Sequence, residues 1–145
     1  MNVLVVEPGT APYEREINGL HEMQDTVGGL ITAIYPYPEE VAIVCNDESI
    51  LLGMEFNRSV PGGYGGLFGP FFICGIDKSD FCSLSPAQME RFKKEYYHAE
   101  ILLGFHGGTP VTLKVLPRPA PSIPKLSKQQ EKKNDKTPKE YRRMK

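Results

Sequence analysis

Three cysteines and three histidines are the side chains that could act as nucleophile and base. Cys45 and Cys74 lie inside apolar runs, where a free cysteine packs as a small hydrophobic side chain. His106 precedes two glycines, as in an oxyanion-hole loop, but the G-x-S-x-G turn that would carry a matching serine is absent. If the protein were an enzyme, Cys82 and His106 would be the least poor candidates for its catalytic residues. We predict no catalytic residues.

Side chains able to bind a metal ion do not follow a known spacing. Cys74, Asp77, Asp80, Cys82 and His98 match no zinc pattern and would converge only by accident of folding. The cysteines are odd in number and lack C-x-x-C spacing, so a disulfide framework is not expected. We therefore predict no metal site and no cofactor.

A glycine-rich segment, residues 61–70, invites a phosphate-binding interpretation. Gly63 and Gly65 begin a G-x-G-x-x-G motif, but Phe68 occupies the third glycine position, and no lysine followed by serine or threonine completes a P-loop. Five glycines and two prolines in ten residues predict a loop that cannot sustain regular structure.

Aromatic and aliphatic residues in this loop favour a protein interface instead. The predicted binding residues of the body are Arg58, Tyr64, Leu67 and Phe68. In an alternative interpretation the same loop lines a nucleotide pocket, in which Arg58 pairs with a phosphate.

Charge divides the chain into two opposed parts. Residues 1–117 contain 7 Lys/Arg and 15 Asp/Glu, a balance of −8, whereas residues 118–145 contain 10 and 3, a balance of +7. Prolines after residue 116 predict an extended spacer, and the basic end cannot bury enough apolar surface to fold alone. This tail could bind nucleic acid, bind an acidic protein surface, fold back on the acidic body, or only maintain solubility. Its candidate contact residues are Lys125, Lys128, Lys132, Lys133, Lys136, Lys139, Arg142 and Arg143.

Short apolar or alternating runs predict the strands that must position these residues. They are residues 3–6, 13–17, 30–35, 41–45, 71–74 and 111–115. Residues 50–56, with Gly53 in their middle, fit no single element.

Two helices are expected. The first begins after Asn18, which can cap it, and ends at Gly28. Its predicted apolar face consists of Leu20, Met23 and Val27. The second begins with a capping box, Ser85-Pro86-Ala87-Gln88. Its predicted face, ended by Gly104, follows the 3-4-3-4 spacing of Met89, Phe92, Tyr96, Ala99 and Leu103.

The expected fold is α+β, a single small domain over residues 1–116 with a mostly antiparallel or mixed sheet and two helices. Residues 117–145 are expected to form a proline-rich spacer and a disordered basic tail. No apolar run approaches the roughly 20 residues that span a membrane, and the first residues lack the pattern of a signal peptide. We therefore predict a cytoplasmic protein without membrane contact, and no oligomeric state is predicted.

A series of short motifs resembles a family of small proteins catalogued as a domain of unknown function. The motifs are VLVVEPG at 3–9, VAIVCN at 41–46, NR at 57–58, FFICG at 71–75 and DFCSLSP at 80–86. The resemblance covers residues 1–116. It implies no catalytic residues, and it implies carriage by conjugative transposons and phages of Gram-positive bacteria, where anti-restriction and anti-CRISPR proteins are common.

These observations favour a non-enzymatic accessory protein of a mobile element. The first hypothesis is an inhibitor of a bacterial defence system that binds a nuclease, such as a Cas nuclease or a restriction enzyme, through its acidic body. The second is a small-molecule or nucleotide-binding module. The third is a nucleic-acid-binding protein that acts through its tail.

Overall fold

The computed structural model describes residues 1–121, which form ten strands and two helices. In chain order these are β1 (Asn2–Val6), β2 (Tyr13–Glu16), α1 (Gly19–Val27), β3 (Ile31–Ile34), β4 (Val41–Asn46), β5 (Phe56–Val60), β6 (Gly65–Phe68), β7 (Phe71–Asp77), β8 (Asp80–Cys82), α2 (Pro86–Glu95), β9 (Ala99–His106) and β10 (Thr109–Val115). All six expected strands form where the sequence predicts them, and β5, β6, β8 and β9 are additional.

A six-stranded antiparallel sheet has the order β2-β1-β7-β4-β3, with β8 paired to β7. Every residue of β4 is buried, as are residues 3–6 of β1 and 71–75 of β7. These strands carry apolar side chains on both faces, so both faces need a covering layer. Two antiparallel hairpins, β5–β6 and β9–β10, complete the predicted α+β fold, which is confirmed.

α1 covers one face of the sheet, and α2 with the β5–β6 hairpin covers the other. Val27 of α1 packs with the first set of sheet residues, which includes Val3, Val5, Ala42, Val44, Phe72 and Cys74. Met89 and Phe92 of α2 and Val60 of β5 pack with the second set, which includes Leu4, Val6, Val41, Ile43, Phe71 and Ile73. Because burial of each large side chain stabilises by about 1.5–3 kcal/mol, these layers fix both helices.

α1 lies where the sequence places it, but its first turn differs in detail. Asn18 occupies the N-cap position without a capping hydrogen bond, because its Oδ1 accepts from the amino group of Met1 at 3.0 Å. Leu20 is exposed, so it is not part of the buried face. Gly28 ends the helix as expected, with a left-handed φ of 84°.

α2 starts with the predicted capping box, in which Ser85 and Gln88 exchange hydrogen bonds. The helix ends at Glu95, however, and the prediction that it continues to Leu103 is wrong. The carbonyl of Tyr96 accepts from the Arg58 guanidinium instead of a later amide. Ala99 and Leu103 therefore lie in β9.

The glycine-rich segment is not an irregular loop, because its second half is strand β6, paired with β5. Gly62 and Gly63 adopt positive φ values of 78° and 83° in the turn. Gly66 has no side chain, and a Cβ there would lie 2.6 Å from the Phe56 ring. The glycines thus allow a tight hairpin that packs closely on an aromatic ring.

The β9–β10 hairpin packs beside β5 through the Glu100 carboxylate. Its Oε1 atom accepts hydrogen bonds from the amide and hydroxyl of Ser59, at 3.0 and 2.8 Å, and from Thr112 Oγ1 at 3.0 Å. Beyond the hairpin, Arg118 forms a parallel bridge with Thr10, so the folded body extends past the predicted boundary at residue 116. In the described part of the chain no helix has the length and apolar character needed to cross a membrane.

Candidate protein-binding surfaces

Arg58 is fully buried, so its prediction as a surface contact or phosphate ligand is wrong. Its guanidinium donates to three backbone carbonyls in two remote segments: to Tyr96 at 3.0 and 3.2 Å, and, in the turn after β1, to Thr10 at 2.7 Å and to Glu7 at 3.3 Å. It also donates to the side chain of Asn57 at 2.8 Å. The arginine therefore joins the end of α2 to the turn after β1.

Burial lowers the pKa of Arg58 to about 10, an effect that the nearby Glu100 charge partly opposes. The guanidinium is therefore still charged at neutral pH, and its hydrogen bonds to carbonyl oxygens are charge-assisted. The neighbouring Asn57 donates to the carbonyls of Val6 and Gly69, both at 2.8 Å. The Asn57-Arg58 pair is thus a buried structural motif.

The other predicted interface residues lie in the β5–β6 hairpin. Tyr64 is exposed in the turn, where its hydroxyl accepts from the amide of Tyr35 at 3.4 Å. Leu67 packs against the core, and Phe68 is half-buried edge-on to Phe56 at 5.3 Å. Of the predicted patch, Tyr64 keeps an exposed position, and its binding role stays a prediction.

An open groove of about 460 Å³ separates the turn of β5–β6 from the turn of β9–β10. Its lining is uncharged and consists of Ser59, Val60, Gly63, Tyr64, Gly65, Gly107, Gly108, Thr109 and Pro110. The buried guanidinium of Arg58 does not reach it. A phosphate in this groove would meet polar and glycine backbone groups rather than a cationic side chain.

Carboxylates cover the surface of the body. Of the 15 Asp and Glu residues in 1–117, twelve are exposed: Glu14, Glu16, Glu22, Asp25, Glu40, Asp47, Glu48, Glu55, Asp77, Asp80, Glu90 and Glu95. Ion pairs join Arg91 to Glu39, and Lys93 to both Glu14 and Glu90. Because Arg58 is buried, one of the seven cations in 1–117 is withdrawn from this surface.

Three consecutive aliphatic side chains are exposed between β4 and β5. Ile50 and Leu51 are 73% and 85% exposed, and Leu52 follows at 56%. We call residues 47–55 the acidic apolar turn, because Asp47, Glu48 and Glu55 flank these three side chains. The sequence left the segment unassigned, although three consecutive aliphatic residues beside acidic ones were a usable signal.

A second apolar surface is the outer face of the β9–β10 hairpin. Ile101 and Leu113 lie directly opposite each other, and all of Ile101, Leu103, Val111 and Leu113 are about half exposed or more. This face is missed at the level of sequence because the spacing of Leu103 assigns it to a helix. The alternation of apolar residues 101, 103 and 105 fits a strand equally well.

The candidate nucleophiles and bases are not brought together. Cys82 lies in β8 of the large sheet and His106 at the end of β9, in a different sheet. Cys45 and Cys74 are buried as expected, and burial raises their pKa values to about 11 and about 12. Both thiols are therefore protonated at neutral pH. Among residues 1–121, no three His, Cys, Asp or Glu side chains are grouped so as to hold a metal ion.

The predicted tail contacts, from Lys125 to Arg143, lie outside the described residues. Their role in binding nucleic acid or protein stays a prediction.

Comparison with known protein families finds a match over most of the chain. A family model described as a domain of unknown function (DUF3846) matches residues 1–97. No curated protein and no solved structure matches the chain. The matched region ends just before β9, so the β9–β10 hairpin lies beyond it. Since it contains both helices and the whole six-stranded sheet, the chain belongs to the DUF3846 family.

Proposed function

We propose that the protein is a non-enzymatic inhibitor that binds a bacterial defence nuclease, either a Cas nuclease or a restriction enzyme. The observation that carries this proposal is the exposure of twelve carboxylates on an ordered body. A nuclease binds its substrate through cationic channels, and an acidic protein surface can occupy such a channel in place of phosphates.

The setting of this function is part of the proposal. The resemblance to proteins of conjugative transposons and phages supports carriage by a mobile element of a Gram-positive bacterium. Action in the cytoplasm of the host cell follows from that setting, because defence nucleases meet incoming DNA there.

Competition with DNA tests the proposal directly. Purified full-length protein is added to a defence nuclease and its labelled DNA substrate, and binding and cleavage are measured at low and moderate salt. We expect the protein to displace DNA and slow cleavage, with weaker inhibition at higher salt because exposed charges are screened. The absence of both nuclease binding and protection of a plasmid or phage in a challenge assay would contradict the proposal.

A small-molecule function is the second candidate, and the groove beside Tyr64 favours it. Its volume falls in the range of ligand sites, roughly 300–1,000 Å³. Bound nucleotide would raise the melting temperature of the protein, and a Tyr64→Ala variant would lose that rise. No shift across a panel of nucleotides, cyclic ones included, would remove this candidate. The third, nucleic-acid binding by the tail, depends on residues outside the described part of the chain.

A further inference from the structure

We propose that the acidic apolar turn, residues 47–55, is the anchor by which the protein docks on an apolar surface rimmed by basic residues on its partner. This docking surface deepens the proposed function and rests on it for the class of partner. The three carboxylates of the turn specify the charge of the partner's rim, and the three aliphatic side chains specify the apolar character of its centre.

Backbone hydrogen bonds hold the exposed part of the turn in place. The amide of Glu48 donates to Asn46 Oδ1 at 2.7 Å, and Asn46 in turn donates to the Val27 carbonyl at 3.1 Å. Three further backbone bonds close a helical turn: Leu52 to Glu48, Gly53 to Ile50, and Met54 to Ser49. The hydrophobic side chains are thus displayed from a preorganised frame, which lowers the entropy lost on binding.

The neighbourhood of the turn extends the apolar surface. The amide of Asp47 donates to the carbonyl of Leu30 at 2.8 Å, and Leu30 is itself exposed. Met54 lies inward, where its side chain would contact a Cβ at Gly28 or at Gly69. Met54 therefore attaches the turn to the body, while Leu30 and residues 50–52 face solvent.

Charge decides which occupant fits. Asp47, Glu48 and Glu55 are all exposed, and no cation of the described residues forms an ion pair with any of them. Basic residues on a partner would meet these carboxylates at the rim while the aliphatic side chains are buried at the centre, the usual arrangement of an interface. The outer face of β9–β10 has aliphatic side chains without this acidic rim.

The first experiment uses two helical peptides as probes. One has leucine on one face and lysine on the other, and the control peptide has the same lysines with serine in place of leucine. Each is titrated into full-length ¹⁵N-labelled protein, and amide shifts are followed by NMR. We expect the leucine peptide to shift Leu30 and residues 47–55. Equal binding of both peptides, or shifts confined to another surface, would overturn the proposal.

Matched variants give the second readout. Leu51→Ser should weaken binding of the leucine peptide by roughly tenfold or more, because the apolar area that Leu51 buries in the complex is lost. Leu116→Ser, at a similarly exposed position of 79%, should leave it unchanged. The contribution of charge is tested with two double variants. The first, Asp47→Asn with Glu48→Gln, removes two charges from the acidic apolar turn and should weaken binding of the leucine peptide. The control, Asp77→Asn with Asp80→Asn, removes two charges from the turn between β7 and β8. Equal losses from the two members of either pair would contradict the proposal.

The same variants separate this proposal from the proposed function. If the wild-type protein inhibits a nuclease and Leu51→Ser inhibits it equally, the anchor is wrong and the inhibitor function stands. If the peptide binds at the turn but no nuclease is bound, the inhibitor function fails and the docking chemistry stands. If the turn amides of the free protein at low salt already lie at their peptide-bound positions and the leucine peptide shifts them no further, the chain's own basic segment occupies the turn and the proposal of a separate partner is overturned.

Discussion

Arg58 and Arg118 hold the same turn of the chain, one from the buried side and the other from the surface. Arg58 Nη2 donates to the carbonyl of Thr10 at 2.7 Å, and Arg118 Nη2 donates to the carbonyl of Pro8 at 3.2 Å. Backbone bonds add to the outer contact, since the amide of Arg118 donates to Gly9 and its carbonyl accepts from Ala11. The turn after β1 is therefore the point where the core, the end of α2 and the start of the C-terminal segment meet.

The two arginines should differ sharply in their contribution to stability. Arg58→Ala leaves several buried carbonyls without a donor and opens a cavity, so we expect the free energy of unfolding to fall by about 3–5 kcal/mol. Arg118→Ala removes an exposed hydrogen bond and should cost about 1 kcal/mol or less. Urea unfolding followed by circular dichroism measures both, because the chain contains no tryptophan.

Arg58→Lys provides a second variant in case Arg58→Ala does not fold. It keeps the charge but cannot reach all the carbonyls that the guanidinium contacts, so its stability should lie between those of the wild type and the alanine variant. A loss below about 1 kcal/mol in Arg58→Ala would contradict the buried role.

Adjacent glycines in the β5–β6 turn allow a test of close packing. Both have a positive φ, but a Cβ on Gly62 would lie 2.8 Å from the backbone of Pro36, whereas a Cβ on Gly63 would have nothing within 4 Å. Gly63→Ala should therefore cost about 1 kcal/mol for the backbone conformation alone. Gly62→Ala should cost a further 1–3 kcal/mol, roughly, from overpacking. Equal melting temperatures for the two variants would show that the turn does not pack on Pro36.

The strands of the central sheet are predicted well because the composition of each short segment is enough to indicate a buried strand. Residues 41–45 and 71–74 are apolar at every position, and such runs are typical of strands buried on both faces. The Ser85 capping box is equally local, since all of its hydrogen-bonding groups lie within four residues. These elements form as expected.

The errors arise where remote contacts decide the structure. Ala99 and Leu103 fit a helical spacing, but Arg58, 38 residues before Tyr96, takes the carbonyl at the helix end. The burial of Arg58 itself depends on carbonyls from segments far apart in the chain, which no local pattern reveals. Gly62 and Gly66 suggested an irregular loop because their close contacts with Pro36 and Phe56 are tertiary.

Glu100 is expected to control the docking of the β9–β10 hairpin on β5. Glu100→Ala removes the acceptor of the Ser59 amide and of two hydroxyls, so hydrogen exchange at the Ser59 amide should become at least tenfold faster, about 1.4 kcal/mol of lost protection. Glu100→Gln retains an acceptor oxygen and should lose less protection. Unchanged exchange in the alanine variant would mean that other contacts hold the hairpin.

The buried thiols should make the protein less stable in alkaline solution. Burial raises the pKa of Cys45 from 9.0 to about 11 and that of Cys74 from 9.0 to about 12. The folded protein then retains protons that the unfolded chain releases. The stabilising contribution is therefore complete below pH 9 and is lost as the pH rises through the folded pKa values. At pH 10.5 each thiol should account for a loss of about 2 kcal/mol relative to pH 8.

Urea unfolding of cysteine variants at pH 8 and pH 10.5 separates the thiols from other groups. Burial also raises the pKa values of Tyr13, Tyr37 and Tyr96, whose titration lowers stability in the same direction. The informative quantity is therefore the difference between variants. Cys45→Ala and Cys74→Ala should each lose less stability than the wild type between the two pH values, because one buried thiol no longer titrates in each variant. An identical pH dependence in all three proteins would show that ionisation of the Cys45 and Cys74 thiols is not coupled to unfolding.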